Sequence, residues 1–123
     1  MGRIDRVNQQ VKREVGRIIL RELSDPRLQF VTITEVDVSR DLRNARIRFS
    51  VLGGESEMHA AQQGLDGAKG MIRKLLGQSM SIRHTPELFF IYDQSVEMSV
   101  RIGETLKEIH DEHEEHHSDD QEK

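Results

Sequence analysis

Apolar residues at Ile4, Val7, Val11, Val15, Ile18, Ile19 and Leu23 recur in steps of three and four. That spacing predicts one apolar face of a helix over about 4–23. The opposite face carries Arg6, Gln10, Arg13, Arg17 and Arg21 at the same spacing. This is a basic stripe about 20 Å long at the helical rise per residue. It reads either as a solvated face or as a surface for an anion. Asp25-Pro26 ends the helix, because the residue before proline disfavours the helical region.

Two strands are predicted next. The segment 30–39 is rich in Val, Ile and Thr. Val31 and Ile33 lie on one phase, Val36 and Val38 on the other, which a bulge or burial of both faces explains. Arg40-Asp41-Leu42-Arg43-Asn44 has the length of a hairpin connection. The segment 45–52 alternates Ala45, Ile47, Phe49 and Val51 with Arg46, Arg48 and Ser50, so its polar face presents two Arg side chains.

Gly53-Gly54 breaks the second strand, and a helical region follows over 55–80. Its apolar face is Ala61, Leu65, Ala68, Ile72, Leu75 and Leu76. Gly64, Gly67 and Gly70 interrupt it, each costing about 1 kcal/mol relative to Ala. The expectation is helix, kink, helix, with the kink at Gly67-Ala68-Lys69-Gly70. The run Glu87-Leu88-Phe89-Phe90-Ile91-Tyr92 is apolar on both phases and is expected to be a central strand, with Pro86 at its start. A last helix is expected over 96–109, with Met98, Ile102, Leu106 and Ile109 inward. From His110 onward the chain is too polar to offset its ordering entropy, and disorder is expected. The expected architecture is α+β: a three-stranded sheet covered on one face by helices, with residues 1–109 as one domain and 110–123 as a tail.

Charge changes the picture once it is divided. The formal charge is -4 over 123 residues, which alone argues against a nucleic-acid binder. Residues 111–123 hold seven acids and one Lys, so the rest of the chain carries +2 and residues 1–48 carry +4. Thirteen of the 18 basic residues are Arg, the side chain best suited to bidentate phosphate contact. There is no Cys, which removes disulfides and thiolate chemistry. No apolar run approaches the roughly 20 residues that span a bilayer. The first residues carry no apolar signal stretch, and Arg6 stands where myristoylation needs Ser or Thr. A cytoplasmic protein with no membrane partner is expected.

Enzyme signals are weak. His113-Glu114-Glu115-His116-His117 matches H-E-x-x-H formally, but zinc chemistry needs a packed helix and a third ligand, and nothing apolar surrounds it. Adventitious metal binding by His110, His113, His116 and His117 is the more plausible use of the segment, a solvating tail the plainest. No phosphate-binding glycine loop or nucleophile elbow is present. Asp25, Asp41 and Asp93 sit at turns and read as structural. No cofactor, no metal site and no catalytic residue is expected.

The Gly67–Gly70 tetrapeptide bears chemistry of another kind. A G-x-x-G loop between two helices, with a cation between the glycines, is how KH domains clamp a nucleic-acid backbone. Two strands precede it and one follows, the topology of a type II KH domain. The competing reading is that Gly64, Gly67 and Gly70 allow close helix packing. Both stay open on the sequence.

The order and spacing of several short segments resemble the bacterial ribosome-binding factor A family over about 6–109. They are Asp25-Pro26-Arg27-Leu28, Val31-Thr32-Ile33-Thr34-Glu35-Val36, Ser39-Arg40-Asp41-Leu42 with Ala45, Gly70-Met71-Ile72-Arg73 with Leu75-Leu76-Gly77, and Arg83 with Pro86-Glu87-Leu88-Phe89-Phe90 and Asp93. The resemblance implies a KH-like type II fold and non-catalytic binding to the immature small ribosomal subunit and its rRNA late in assembly. It further implies assembly GTPases as companions and a role in growth at low temperature. The family's kink is Ala-x-Gly, which Ala68-Lys69-Gly70 fits; Gly67 lies outside that pattern, as does the acidic tail. A monomer is expected. The expected rRNA contacts are Lys69, Arg73, Lys74 and Arg83, with Gly70 admitting a phosphate, and Arg46 and Arg48 on the hairpin. The stripe of Arg6, Arg13 and Arg17 is a second candidate surface. A protein- or metal-binding module using the kinked helix or the His-rich tail is the alternative.

Overall fold

The computed structural model describes residues 2–94. The chain divides into two units at 93/94, so the expected helix over 96–109 and the tail lie outside the described residues. The element order is α1 (Arg3–Arg21), a one-turn 3-10 helix (Pro26–Leu28), β1 (Val31–Val38), β2 (Asn44–Val51), α2 (Glu55–Met80) and β3 (Glu87–Tyr92).

Helix α1 buries Val11, Val15, Ile18 and Ile19 in the predicted apolar stripe. Its first turn is closed by Asp5, whose carboxylate accepts the Gly2 N–H at 3.2 Å. Asp25 then caps the 3-10 turn, accepting the Arg27 N–H at 2.9 Å, and Arg27 grips the same carboxylate through Nε and Nη2. That guanidinium and N–H hold the Asp25 carboxyl below its ordinary range.

β1 and β2 form the expected antiparallel hairpin, and the register shifts between Ile33 and Glu35. Thr34 is the extra residue, so the bulge moves the inward phase from Ile33 to Val36 and Val38. Its hydroxyl donates to Asp93 at 2.7 Å, joining the bulge to the end of β3. β3 pairs parallel with β2, giving the order β1-β2-β3.

The expected central place of β3 is therefore corrected: β2 is central and β3 is an edge. Apolarity on both phases misled here because Phe89 stays 42% exposed on the outer face while Leu88 and Phe90 point inward. A parallel partner needs a crossover, and α2 supplies it. Both helices cover one face of the sheet, with α1 lying on β1 and α2 beside β2 and β3. One core results, from Val11, Val15 and Ile18 through Ile47, Phe49 and Leu88 to Leu65, Ile72 and Leu76.

A second correction concerns the expected break between two helices. α2 is hydrogen-bonded without interruption for 26 residues, so Gly67, Ala68 and Gly70 lie inside one helix and no loop separates two. The intrinsic cost of the glycines is outweighed by the buried stripe of Ala61, Leu65, Ile72 and Leu76. The three glycines also part company. A Cβ on Gly64 would stand 3.0 Å from the Leu28 side chain and 3.2 Å from the Asp25 carboxylate, so Gly64 serves packing. A Cβ on Gly67 or Gly70 would meet nothing within 4 Å. Gly67→Ala and Gly70→Ala are each expected to raise stability by about 0.5–1 kcal/mol. Thermal melts of the single variants check this.

Candidate nucleic-acid interface

The structure separates the predicted basic residues into three places. The first is the outer sheet face and the β3 edge. Arg46 and Arg48 project from β2 away from the core, but β1 sets an acid opposite each: Asp37 across from Arg46 and Glu35 across from Arg48. Arg46 Nη2 reaches Asp37 at 3.0 Å. Lys69 bends over the β3 edge and holds its Nζ 5.6 Å from the centre of the Phe89 ring. Asp66 shares the same groove. This region is close to charge balance, so the hairpin's two-Arg face is not the free cationic surface that the alternation of β2 suggested.

The second place is the end of the domain where α2 runs into β3. Arg73 is tied down there, its Nη2 donating to the Thr85 carbonyl at 2.7 Å and its Nε to the Pro86 carbonyl at 3.1 Å. Arg73 thus works as a clamp on the segment that leads into β3. Arg73→Ala is expected to lower stability by about 1 kcal/mol, since charged donors to two carbonyls are lost. A chemical denaturation curve would show it. Arg83 lies in the same cleft without such a tie, together with Arg3, Arg43 and His84, which the sequence pattern did not single out. Arg43 was legible as a cation in the hairpin turn, but its neighbours come from three other parts of the chain.

The third place is the solvent side of the two helices. Arg6 and Arg13 are exposed on α1 and are held by no hydrogen bond or close ion pair among the described residues, though Arg13 lies in the field of Glu14. Arg17 is partly buried, with its Nε on Glu14 at 3.1 Å and Nη1 3.6 Å from Glu22. The carboxylates of α1 are committed elsewhere, Asp5 to the Gly2 N–H and Glu14 to the Ser79 hydroxyl and Arg17. Those bonds, from Ser79 first and then Arg17, hold the Glu14 carboxyl below its ordinary range. The Glu14–Ser79 bond also joins α1 to α2. On α2 the exposed positions Gln63, Gly67, Gly70, Lys74 and Gln78 carry no acid, while Asp66 is exposed beside Gly67. The solvent side of the two helices thus presents Arg6, Arg13 and Lys74, with Arg17 paired to Glu14 and Glu22, and Gly67 and Gly70 leave the α2 backbone open.

Among the described residues no group of His, Cys, Asp and Glu is placed to hold a metal ion. No described helix is long and apolar enough to cross a membrane. The His-rich segment 110–117 lies outside the described residues.

The fold and this charge distribution can now be set beside known proteins. A family model described as ribosome-binding factor A matches residues 3–106. The chain belongs to the ribosome-binding factor A family. A ribosome-binding factor A from Halothermothrix orenii is 45% identical over 112 residues, covering 91% of this chain and 92% of that relative. The crystal structure of ribosome-binding factor A from Thermus thermophilus superposes with a TM-score of 0.66 at 25% identity, over 75% of this chain and 97% of that one. The solution structure of a ribosome-binding factor A homologue from Thermotoga maritima gives 0.63 at 30% identity, over 70% and 82%. A Thermus thermophilus ribosome-binding factor A homology model, fitted into a cryo-electron-microscopy map of a 30S–RbfA complex, gives 0.61 at 25% identity, over 71% and 91%. The fold is thus the KH-like type II α+β fold of ribosome-binding factor A structures. In this member the KH glycine segment sits within a continuous helix.

Proposed function

We propose that this chain binds the small ribosomal subunit, as its Thermus thermophilus relative does in the 30S complex, and that the outer helix layer is the docking face. The observation that carries this reading is the set of exposed cations Arg6, Arg13 and Lys74 on the two helices, together with the open α2 backbone at Gly67 and Gly70. Guanidinium and ammonium groups arranged this way contact rRNA phosphates, which gives affinity and register more than base readout. Selectivity comes from the shape of a folded rRNA junction.

The role is non-catalytic. A factor that binds the immature conformation of the subunit more tightly than the mature one shifts the rRNA population by that difference alone. The chain then acts in late maturation and processing of small-subunit rRNA in the cytoplasm. It acts as a monomer, with assembly GTPases as companions and its greatest effect in the cold, where misfolded rRNA escapes slowly. The test is co-sedimentation with precursor small subunits over a salt series. Phosphate-driven binding weakens by orders of magnitude from low to moderate salt, as about 10³–10⁵ is lost for six to ten phosphate contacts. Apolar docking onto a partner protein holds its affinity over the same range, and that result would defeat the reading.

A further inference from the structure

The cleft at the end of the domain is a site that the outer helix layer does not include. It has a volume of about 740 Å³, within the range of small-ligand sites. Four arginines, Arg3, Arg43, Arg73 and Arg83, face two carboxylates, Asp41 and Glu87. Arg73 is spent on the Thr85 and Pro86 carbonyls. Asp41 is spent as well, accepting the Ser39 hydroxyl at 2.7 Å and the Arg43 N–H at 3.1 Å. The side chains of Arg3 and Arg83 are held by no hydrogen bond or ion pair among the described residues, and Arg43 feels only the charge of Asp41. Between these cations the wall is apolar and partly buried, formed by Val7, Leu42, Met80 and Ile82, with His84 beside them.

The walls are built to hold their shape. The Glu87 N–H donates to the Arg43 carbonyl at 2.8 Å, tying the start of β3 to the hairpin turn, and the Arg73 clamp fixes the other side. The cleft is also where backbone strain collects. Among the described residues only Leu42 (φ 62°) and Ser81 (φ 54°) adopt the left-handed region without being glycine, and they stand in the two facing segments. Such strain costs about 1–3 kcal/mol per residue and persists where surrounding structure imposes it, characteristically at ligand sites.

We infer that this cleft takes an unpaired nucleotide of single-stranded RNA. Arg3, Arg43 and Arg83 hold its phosphates, and the base lies against Leu42, Ile82 and His84. Free guanidiniums suit phosphate oxygens bidentately. An apolar patch with an imidazole suits the face of a base that has left its stack. A duplex keeps its bases inside and cannot present one to a cleft of this depth. The assignment deepens the rRNA-binding reading and rests on it: the helix layer grips the phosphates of folded rRNA, and the cleft selects subunits whose rRNA still offers an unpaired strand.

The test measures fluorescence anisotropy of the full chain with a short labelled single-stranded oligoribonucleotide and with the same strand in a duplex. The proteins are the unaltered chain, Arg43→Ser/Arg83→Ser and Arg6→Ser/Arg13→Ser, with Arg83→Lys as a charge-keeping control and circular dichroism as the check on folding. The unaltered chain is expected to prefer the single strand. The cleft variant should lose about 10-fold on the single strand and little on the duplex, as expected when a few phosphate contacts and a base contact vanish. Arg83→Lys should keep most of the binding. The helix-layer variant should weaken both ligands alike. Equal loss on both ligands in the cleft variant, or no loss on either, overturns the cleft assignment while leaving the helix-layer reading to its sedimentation test. Unchanged sedimentation of the helix-layer variant overturns that reading instead, whatever the oligonucleotides show.

Discussion

Arg6→Glu combined with Arg13→Glu should leave the fold intact and reduce affinity for precursor small subunits by about two orders of magnitude near physiological salt, because two phosphate attractions become two repulsions. Both side chains are exposed and neither is hydrogen-bonded among the described residues, so the folded state loses only the weak attraction between Arg13 and Glu14. Surface substitutions of this kind shift stability by less than about 0.5 kcal/mol. The remaining binding should also depend less on salt, since fewer counterions are released. The matched control is Arg46→Glu with Arg48→Glu on the outer sheet face. There each new Glu would stand opposite Asp37 or Glu35, so a small stability loss is expected with sedimentation retained. Loss of sedimentation in the sheet-face variant, with none in the helix variant, would reverse the assignment of the docking face.

Much of this molecule is legible in the order of its residues. The three-and-four spacing of α1 and the alternation of β2 follow from burying one face of each element, a local property of the chain. Even the bulge at Thr34 shows as a change of phase between Ile33 and Val36. What escapes are outcomes of long-range packing. The edge position of β3 depends on how α2 crosses the sheet, and two adjacent phenylalanines do not disclose which of them faces solvent. The expected break in α2 rested on glycine propensity alone, which the buried stripe of Leu65, Ile72 and Leu76 overrides.

The candidate site shows the same division. The basic residues are identifiable one by one, but their grouping is not. Lys69, Arg73 and Lys74 are close in sequence and go three ways: over the Phe89 ring, onto the Thr85 and Pro86 carbonyls, and out to solvent. The acids set opposite Arg46 and Arg48 could have been foreseen. Once the bulge is accepted, Glu35 and Asp37 fall on the outward phase of β1, opposite both arginines. The end cleft could not be foreseen, because the start of α1, the hairpin turn and the lead into β3 meet only in the folded chain.

The largest effect on folding is expected from Phe49→Ala, at about 3–5 kcal/mol. Phe49 lies on the central strand and is the largest fully buried side chain among the described residues. Across β1 its partner is Ile33, and across β3 it meets Tyr92 edge to face, with ring centroids 5.7 Å apart. The Asp93 N–H also donates to the Phe49 carbonyl, so this position binds the end of β3 and, through Asp93 and Thr34, the bulge of β1. Truncation opens a void that strands on both sides must close together, and they are held in register by those backbone bonds. A domain of this size has only about 5–15 kcal/mol of stability to lose, so the variant should melt well below the unaltered chain or fail to fold. Phe89→Ala on the next strand provides the contrast. Phe89 is 42% exposed and its main contact is the Lys69 ammonium, so its removal should cost less than about 1 kcal/mol. Equilibrium denaturation of the two variants side by side tests the placement of both rings. Equal costs would mean that Phe89 is as deeply buried as Phe49 and that β3 is covered on both faces.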